Sequence, residues 1–492
     1  MKHKILLLLS ALLLIACNSK PETPQQDHLE VFTKELKELK TFFSVPGLSA
    51  IVSKNNEIIY ENYFGYADIA HQVKVDSLTA FPIASITKLY SATLLMKLAE
   101  NNTLSLDTPV KTVLTNVQLS DSIQVKHLLS HTSQGNIGKE FFYSSRFSLL
   151  TPIIEKVTGS SFNNQMESNI FEPLHLEHTF LLKDSSQIAH RNVKIAMPYV
   201  LDEGIQNGFI DYGYSTSAGI VSTARNLIQF SDALDNNTLI DQNSKENMYQ
   251  GVDSELPYAY GLFNQTVEGH DVLWVYGQYD CYSSLLLKVP SKNLSLVLLA
   301  NNNLMSDPAR LIMGDITSSL FAMSFLKNYV LDLSDMPLIE SPDSVYATND
   351  KSNFYKQKVL AQALAQSFMA RFGQQNMETS TQLLEKTFEK HPDYLSYGNI
   401  NLLHNMSFLK DVAFYMDLGE FNLFDKQIEA ISQKLLKESP NDPYLHSYMG
   451  TYYDRLGNQE KAKFHYNTIV DLDNFSPNWY TNEAKNWLES NE

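Results

Sequence analysis

"PIASITKLYSA" occupies Pro82 to Ala92 and places Ser85 three residues before Lys88. The spacing alone decides little, because Ser324-Phe325-Leu326-Lys327 and Ser407-Phe408-Leu409-Lys410 repeat it. What separates the copies is context. Ser85 follows Pro82-Ile83-Ala84 and opens a helical pattern whose apolar positions continue through Leu94 and Leu98. A serine there lies among free backbone N–H groups and at the positive end of the helix dipole, which favours developing negative charge. Lys88 falls on the same helix face, one turn away. A lysine held partly desolvated beside another donor gives up its proton more readily and can serve as a base. Ser324 and Ser407 fall inside helical runs and read as ordinary helical residues.

Outward from this stretch, residues 31–330 alternate strand-like and helix-like patterns. Gly47–Ser53 and Glu57–Phe64 read as a hairpin across Lys54-Asn55-Asn56. Val272–Tyr276, Ser284–Val289 and Leu294–Leu299 are further strands, the last two joined by Pro290-Ser291-Lys292-Asn293. Helical stretches such as Ile86–Asn101 and Phe147–Val157 lie between. Strands from both ends of a domain enclosing helices from its middle imply an α/β (α+β) fold, one antiparallel sheet covered by helices. Residues 331–353 read as a linker and 354–492 as wholly helical. In 443–473, Gly450, Tyr453, Gly457, Ala462 and Tyr466 stand at the spacings of a tetratricopeptide (TPR) repeat. A weaker unit with Leu418-Gly419 and Ser439-Pro440-Asn441 precedes it. Two such units are too few for an independent solenoid, so the region is expected to dock on the first domain or on a partner.

At the start of the chain, Lys2 and Lys4 precede the apolar run Ile5 to Ile15, which suits a signal peptide and is too short to span a bilayer. Leu14-Ile15-Ala16-Cys17 resembles a bacterial lipobox, with Cys17 as the lipidated residue. Residues 1–17 are then a lipoprotein signal and 18–30 a polar tether. Cys281 is the only other cysteine, so no intrachain disulfide is expected. The formal charge of −17 becomes −19 without Lys2 and Lys4. That balance excludes nucleic acid as partner and electrostatic adhesion to membranes, leaving lipid as the anchor.

Ser85-Ile86-Thr87-Lys88 resembles the first motif of the serine β-lactamase and penicillin-binding superfamily, in its class C-like branch. "LSLDTPVKTVL" (104–114), "IQVKHLLSHTS" (123–133), "LLTPIIEKVTGSSFNNQMESNIFEPLHLEHT" (149–179), "SAGIVSTARNLIQF" (217–230), "YAYGLF" (258–263) and "SSLLLKVPSKNLSLVLLANN" (283–302) follow in the family's order. The resemblance implies a sheet with flanking helices plus a helical subdomain, the site lying between them. It implies Ser85 as nucleophile with Lys88, and Tyr143 of "FFYSSRFS" as proton relay. Ser145 stands where the family has asparagine, whose amide holds the lysine and a substrate carbonyl. The third motif falls on Tyr276-Gly277-Gln278, with Tyr in place of a cation or imidazole and Gln in place of glycine. The first of these departures resembles penicillin-binding-like (family VIII) esterases. Backbone N–H groups of Ser85 and Tyr279 would form the oxyanion hole.

Tyr60-Glu61-Asn62 and Tyr397-Gly398-Asn399 fit the second motif as bare patterns but lie in a strand and outside the domain. His270 stands too far before Pro290 to be the third motif. His127 and His131 bracket no expected metal, Cys281 reads as a buried inert thiol, and no cofactor is implied. The expectation is a serine hydrolase working through an acyl-enzyme on an ester or a small D-amino-acid peptide or amide. It would be lipid-anchored in the cell envelope, at the periplasmic face or outer membrane of a Gram-negative bacterium, with a protein partner for the helical region. The rival is a weakly active or inactive relative that binds a peptide or protein in the old cleft.

Overall fold

Asn55 and Asn56 both take left-handed backbone, φ 52° and 64°, so Lys54 pairs with Glu57 across a two-residue turn. Paired left-handed residues match the twist of the strands they join, which is why asparagine serves here. The hairpin Gly47–Lys54 and Glu57–Asp68 enters a seven-stranded antiparallel sheet. The order across it is Val73–Lys74, Glu57–Asp68, Gly47–Lys54, Leu294–Ala300, Tyr282–Val289, His270–Tyr279, Phe263–Val267. The computed structural model describes residues 24–191, 193–390, 400–415 and 424–491.

The two central strands from the far end of the domain are buried along their whole length, because the sheet is covered on both faces. Leu286, Val297 and Leu299 point into one core, shared with the helix Thr87–Glu100 and the helical subdomain. Leu285, Leu287, Leu296 and Leu298 point into the other, with the helix Pro24–Phe42 and Leu320–Phe325. Period-two alternation thus splits one apolar run between two cores.

Three sequence expectations change. The tether ends early, since the first described helix begins at Pro24 and His28 accepts from or donates to Ser334 Oγ at 2.8 Å. The 331–353 segment is not a free linker. It contains the helix Pro342–Ala347, and Lys358, fully buried, donates to Pro337 O at 2.9 Å and pairs with Glu340. The helix Asn353–Ala370 belongs in part to the hydrolase-like core, contributing Phe354, Ala361, Ala365 and Phe368.

The decoy Ser324-x-x-Lys327 is a latch. Lys327 Nζ lies 2.7 Å from Glu35 Oε1, and Ser324 Oγ donates to Glu35 Oε2 at 2.6 Å, tying the first helix to the body. Lys410 pairs with Asp425 at 2.7 Å, and Ser407 Oγ is buried with no hydrogen-bond partner among the described residues. In the C-terminal helices, a Cβ on Gly450 would come within 2.7 Å of the Tyr466 ring, so glycine lets Pro443–Arg455 and Gln459–Val470 pack closely. Cys17, Leu418-Gly419 and Tyr397-Gly398-Asn399 lie outside the described residues.

Candidate active site

The strand Ala80–Pro82 runs into a 3-10 turn, Ala84–Ile86, and then the helix Thr87–Glu100. Ile83 N–H donates to Ile220 O at 2.9 Å, fixing the turn from one side. Ala84 takes φ 45°, a left-handed conformation that costs a non-glycine residue free energy and is typical of sites that aim a side chain. Ser85 follows it, half-buried at the start of the helix.

Lys88 is only 4% exposed. Its Nζ donates to Ser85 Oγ at 2.9 Å and to Ser217 O at 3.0 Å, and stands 5.0 Å from the Tyr143 ring centre. Among the described residues no carboxylate pairs with it. Its polar contacts are thus two neutral oxygens, one of them the Ser85 hydroxyl, beside an aromatic ring face.

Tyr143 is stacked on His131, 4.2 Å between ring centres. His131 Nδ1 accepts the Ser144 N–H at 3.0 Å, which leaves the proton on Nε2. Burial, and then the charge of Lys88, keep this imidazole well below its ordinary pKa, hence neutral. Nε2 is buried without a partner among the described residues. Tyr258, Phe263 and Tyr276 complete an aromatic wall, with Tyr276 6.5 Å from Tyr143. Burial, and then Tyr143, push the Tyr276 phenol well above its usual range, so it stays neutral.

Ser85, Lys88 and Tyr143, expected as a unit, are brought together. Ser145 is not. It is exposed, opens the 3-10 turn Ser145–Leu149, and its carbonyl accepts from Ser148 Oγ at 2.7 Å. The lysine's second acceptor is instead the backbone carbonyl of Ser217, which sequence reasoning missed because a carbonyl leaves no side-chain signature. That carbonyl is held by its neighbour: Thr216 O accepts from Ser91 Oγ at 2.9 Å, and Thr216 Oγ1 donates to Phe147 O at 2.9 Å.

The third motif is also corrected. The close approach occurs at Gly277 rather than at the following residue: a Cβ there would meet Ile83 O at 2.0 Å and Ser284 Oγ at 2.3 Å. Gln278 is occupied elsewhere, donating from Nε2 to Asp307 Oδ1 at 2.9 Å. Tyr279 ends the strand, paired with Tyr282, its ring half-buried. Cys281 is buried and its Sγ accepts the Phe209 N–H at 3.3 Å, with burial raising its pKa. His127 Nδ1 accepts the Gln124 N–H at 3.0 Å, and His270 lies at a hairpin 3.4 Å from Ser291 Oγ.

A two-faced antiparallel sheet, a helical subdomain, and a serine at a helix start with a lysine one turn on define a β-lactamase/transpeptidase-like serine hydrolase fold. The comparisons agree. The family described as Beta-lactamase matches residues 35–312, and the chain belongs to that family. Protein flp of Staphylococcus aureus is 25% identical over 305 residues, covering 53% of this chain and 60% of that protein. The putative penicillin-binding protein PbpX of Bacillus subtilis is 27% identical over 234 residues, 41% of this chain and 58% of PbpX. The chain thus spans about three fifths of the length of these relatives. In fold it is similar to the octameric penicillin-binding protein homologue from Pyrococcus abyssi. The TM-score is 0.54 at 23% identity, over 61% of this chain and 77% of that one.

Proposed function

We propose that this protein hydrolyses esters or small amides, D-amino-acid peptides included, through an acyl-enzyme on Ser85. The observation that carries this is the 2.9 Å contact between Lys88 Nζ and Ser85 Oγ, with no carboxylate among the described residues beside the lysine. In the acting form neutral Lys88 accepts the Ser85 proton as Oγ attacks the substrate carbonyl. The oxyanion forms against the backbone N–H groups of Ser85 and Tyr279. Tyr143, beside Lys88, passes the proton to the leaving group as the carbonyl re-forms. Water then enters, loses a proton to the same pair, and releases the acid and free serine. Esters are favoured over β-lactams because the wall holds neutral Tyr276 where a cation would bind a carboxylate, and Ser145 offers no amide.

Lipidation at Cys17 would hold the enzyme to the cell envelope, at the periplasmic face or outer membrane. The departures at Ser145 and Gln278 favour one second reading, a binding module that keeps the cleft without turnover. Labelling full-length protein with a fluorophosphonate and a fluorescent penicillin separates the two. Labelling by either probe that disappears in Ser85→Ala supports the hydrolase; silence of both on folded protein overturns it.

A further inference from the structure

Between His131 and Ser145 the chain has no helix or strand, yet this loop carries Tyr143. Its own domain supplies a few ties. Gly138 N–H donates to Thr132 O at 2.9 Å, Phe142 N–H to His131 O at 3.0 Å, and Ser144 Oγ to Gln134 Oε1 at 3.2 Å. A further set comes from a turn 330 residues away, Asn474-Phe475-Ser476, between the last two C-terminal helices.

Arg146 is the centre of that contact. It is 7% exposed and pairs with no carboxylate among the described residues. Nη1 donates to Ser133 O at 2.6 Å, the guanidinium's one bond to its own domain among the described residues. The other three go to the turn: Nε to Ser476 Oγ at 2.8 Å, Nη1 to Asn474 Oδ1 at 3.2 Å, and Nη2 to Asn474 O at 3.0 Å. Asn474 has φ 59°, the left-handed region that asparagine tolerates. Its Nδ2 donates back to Ser133 O at 3.2 Å. Ser476 N–H donates to Gln134 Oε1 at 2.9 Å, and Phe475 sits edge-on to Phe142 at 4.9 Å.

Both neighbours of Tyr143 therefore gain a tie from outside the domain, Phe142 to Phe475 and Ser144 through Gln134 to Ser476, beside their backbone bonds to His131. Without the turn, a buried guanidinium keeps one acceptor, and an unpaired buried charge forces rearrangement. We propose that Asn474, Phe475 and Ser476 are positioning residues for the Ser85 reaction, the C-terminal helical region keeping Tyr143 in place beside Lys88. This rests on the hydrolase reading above.

The test uses the full chain and a p-nitrophenyl ester, with kcat normalised to sites titrated to completion by fluorophosphonate, so that unfolded protein is not counted. Asn474→Ala and Phe475→Ala lower kcat per site by about 10- to 100-fold, the cost of misplacing a reacting group by about 1 Å. KM stays within about twofold, because the residues touch no substrate. Phe475→Leu and Ser476→Thr, which keep the packing and the hydroxyl, recover most of the rate. Amide hydrogen exchange in 134–146 quickens in the alanine variants. Wild-type kcat per site in both alanine variants, whatever their melting temperatures, overturns the positioning role alone. A wild type that neither labels nor turns over overturns the hydrolase reading, and the role with it.

Discussion

Replacing Gly277 by alanine puts one methyl group between the sheet and the turn that carries Ser85. The added Cβ would stand 2.0 Å from Ile83 O, and ordinary van der Waals contact begins at 3.4 Å, so a separation of about 1.4 Å must be found. The strand cannot supply it. Gly277 is paired with Ser284 inside a ladder that runs from Leu273 to Tyr279. Nor is there a side chain to swing aside, because the obstructing atom is backbone. The Ser284 Oγ to Ile83 O bond of 2.9 Å must also break, since Oγ itself is 2.3 Å from the new carbon. The turn Ile83–Ile86 therefore yields. Lys88 follows on the same helix, so its contact with Ser85 persists while both shift against the N–H of Tyr279.

Overpacking of this kind costs about 1–3 kcal/mol of stability. The shift of the nucleophile against the oxyanion site costs about 100-fold in kcat, or about 2.7 kcal/mol in the barrier. The assay is ester turnover per titrated site, beside urea unfolding of the same preparation. Adding Ser284→Ala relieves the hydroxyl and leaves the carbonyl, so the double variant stays slow. A Gly277→Ala protein with kcat within about threefold of wild type would refute the account of how strand and turn set the site.

Lys88→Met keeps the buried volume and removes the base; kcat falls about 100- to 10,000-fold in the ester assay while the melting temperature changes little. Glu35→Ala strands the fully buried Lys327 and lowers stability by about 3–5 kcal/mol in urea unfolding, with kcat per titrated site within about twofold. The C-terminal pair His446 and His465 makes stability pH-dependent. His446 Nε2 donates to Pro440 O at 2.8 Å, so its Nδ1 accepts from His465 Nδ1 at 2.9 Å, and both rings are neutral. Burial lowers both pKa values, with His465 pushed down to about 3, so the unfolded chain binds more protons below about pH 6.5. Stability is full above that pH and falls as pH drops through it, by up to about 1.4 kcal/mol per pH unit for His465, with His446 adding in the same direction. His465→Leu makes the slope of urea midpoints between pH 6 and 4 shallower by one proton; an unchanged slope refutes the pairing.

The three Ser-x-x-Lys copies show where sequence reading succeeds and where it stops. Periodicity places serine and lysine on one helix face in each copy, and that much is local. What the lysine does there depends on a charge whose position in the chain is far away. Lys327 and Ser324 both reach Glu35, 289 residues from Ser324, and become a latch. Lys410 finds Asp425 in the next described helix. Lys88 meets no acid among the described residues and turns back to its own serine. β-rich runs bounded by turn residues made five of the seven strands legible for the same local reason, each one to five residues longer in the structure, while Val73–Lys74 and Phe263–Val267 are seen only in the fold.

The parts that escaped are contacts without a side-chain signature. Ser217 holds Lys88 through a carbonyl, so the missing asparagine amide at Ser145 is replaced by an atom every residue carries. Gly277 rather than its neighbour meets the turn because strand register, not motif order, decides which residue faces Ile83. The Asn474-Phe475-Ser476 turn reads in sequence as ordinary loop chemistry, and only the fold brings it to Arg146. In each case the motif supplies the reacting group and the backbone around it supplies the alignment. The substitutions that test function most sharply are therefore Gly277→Ala and Asn474→Ala, which leave Ser85, Lys88 and Tyr143 untouched.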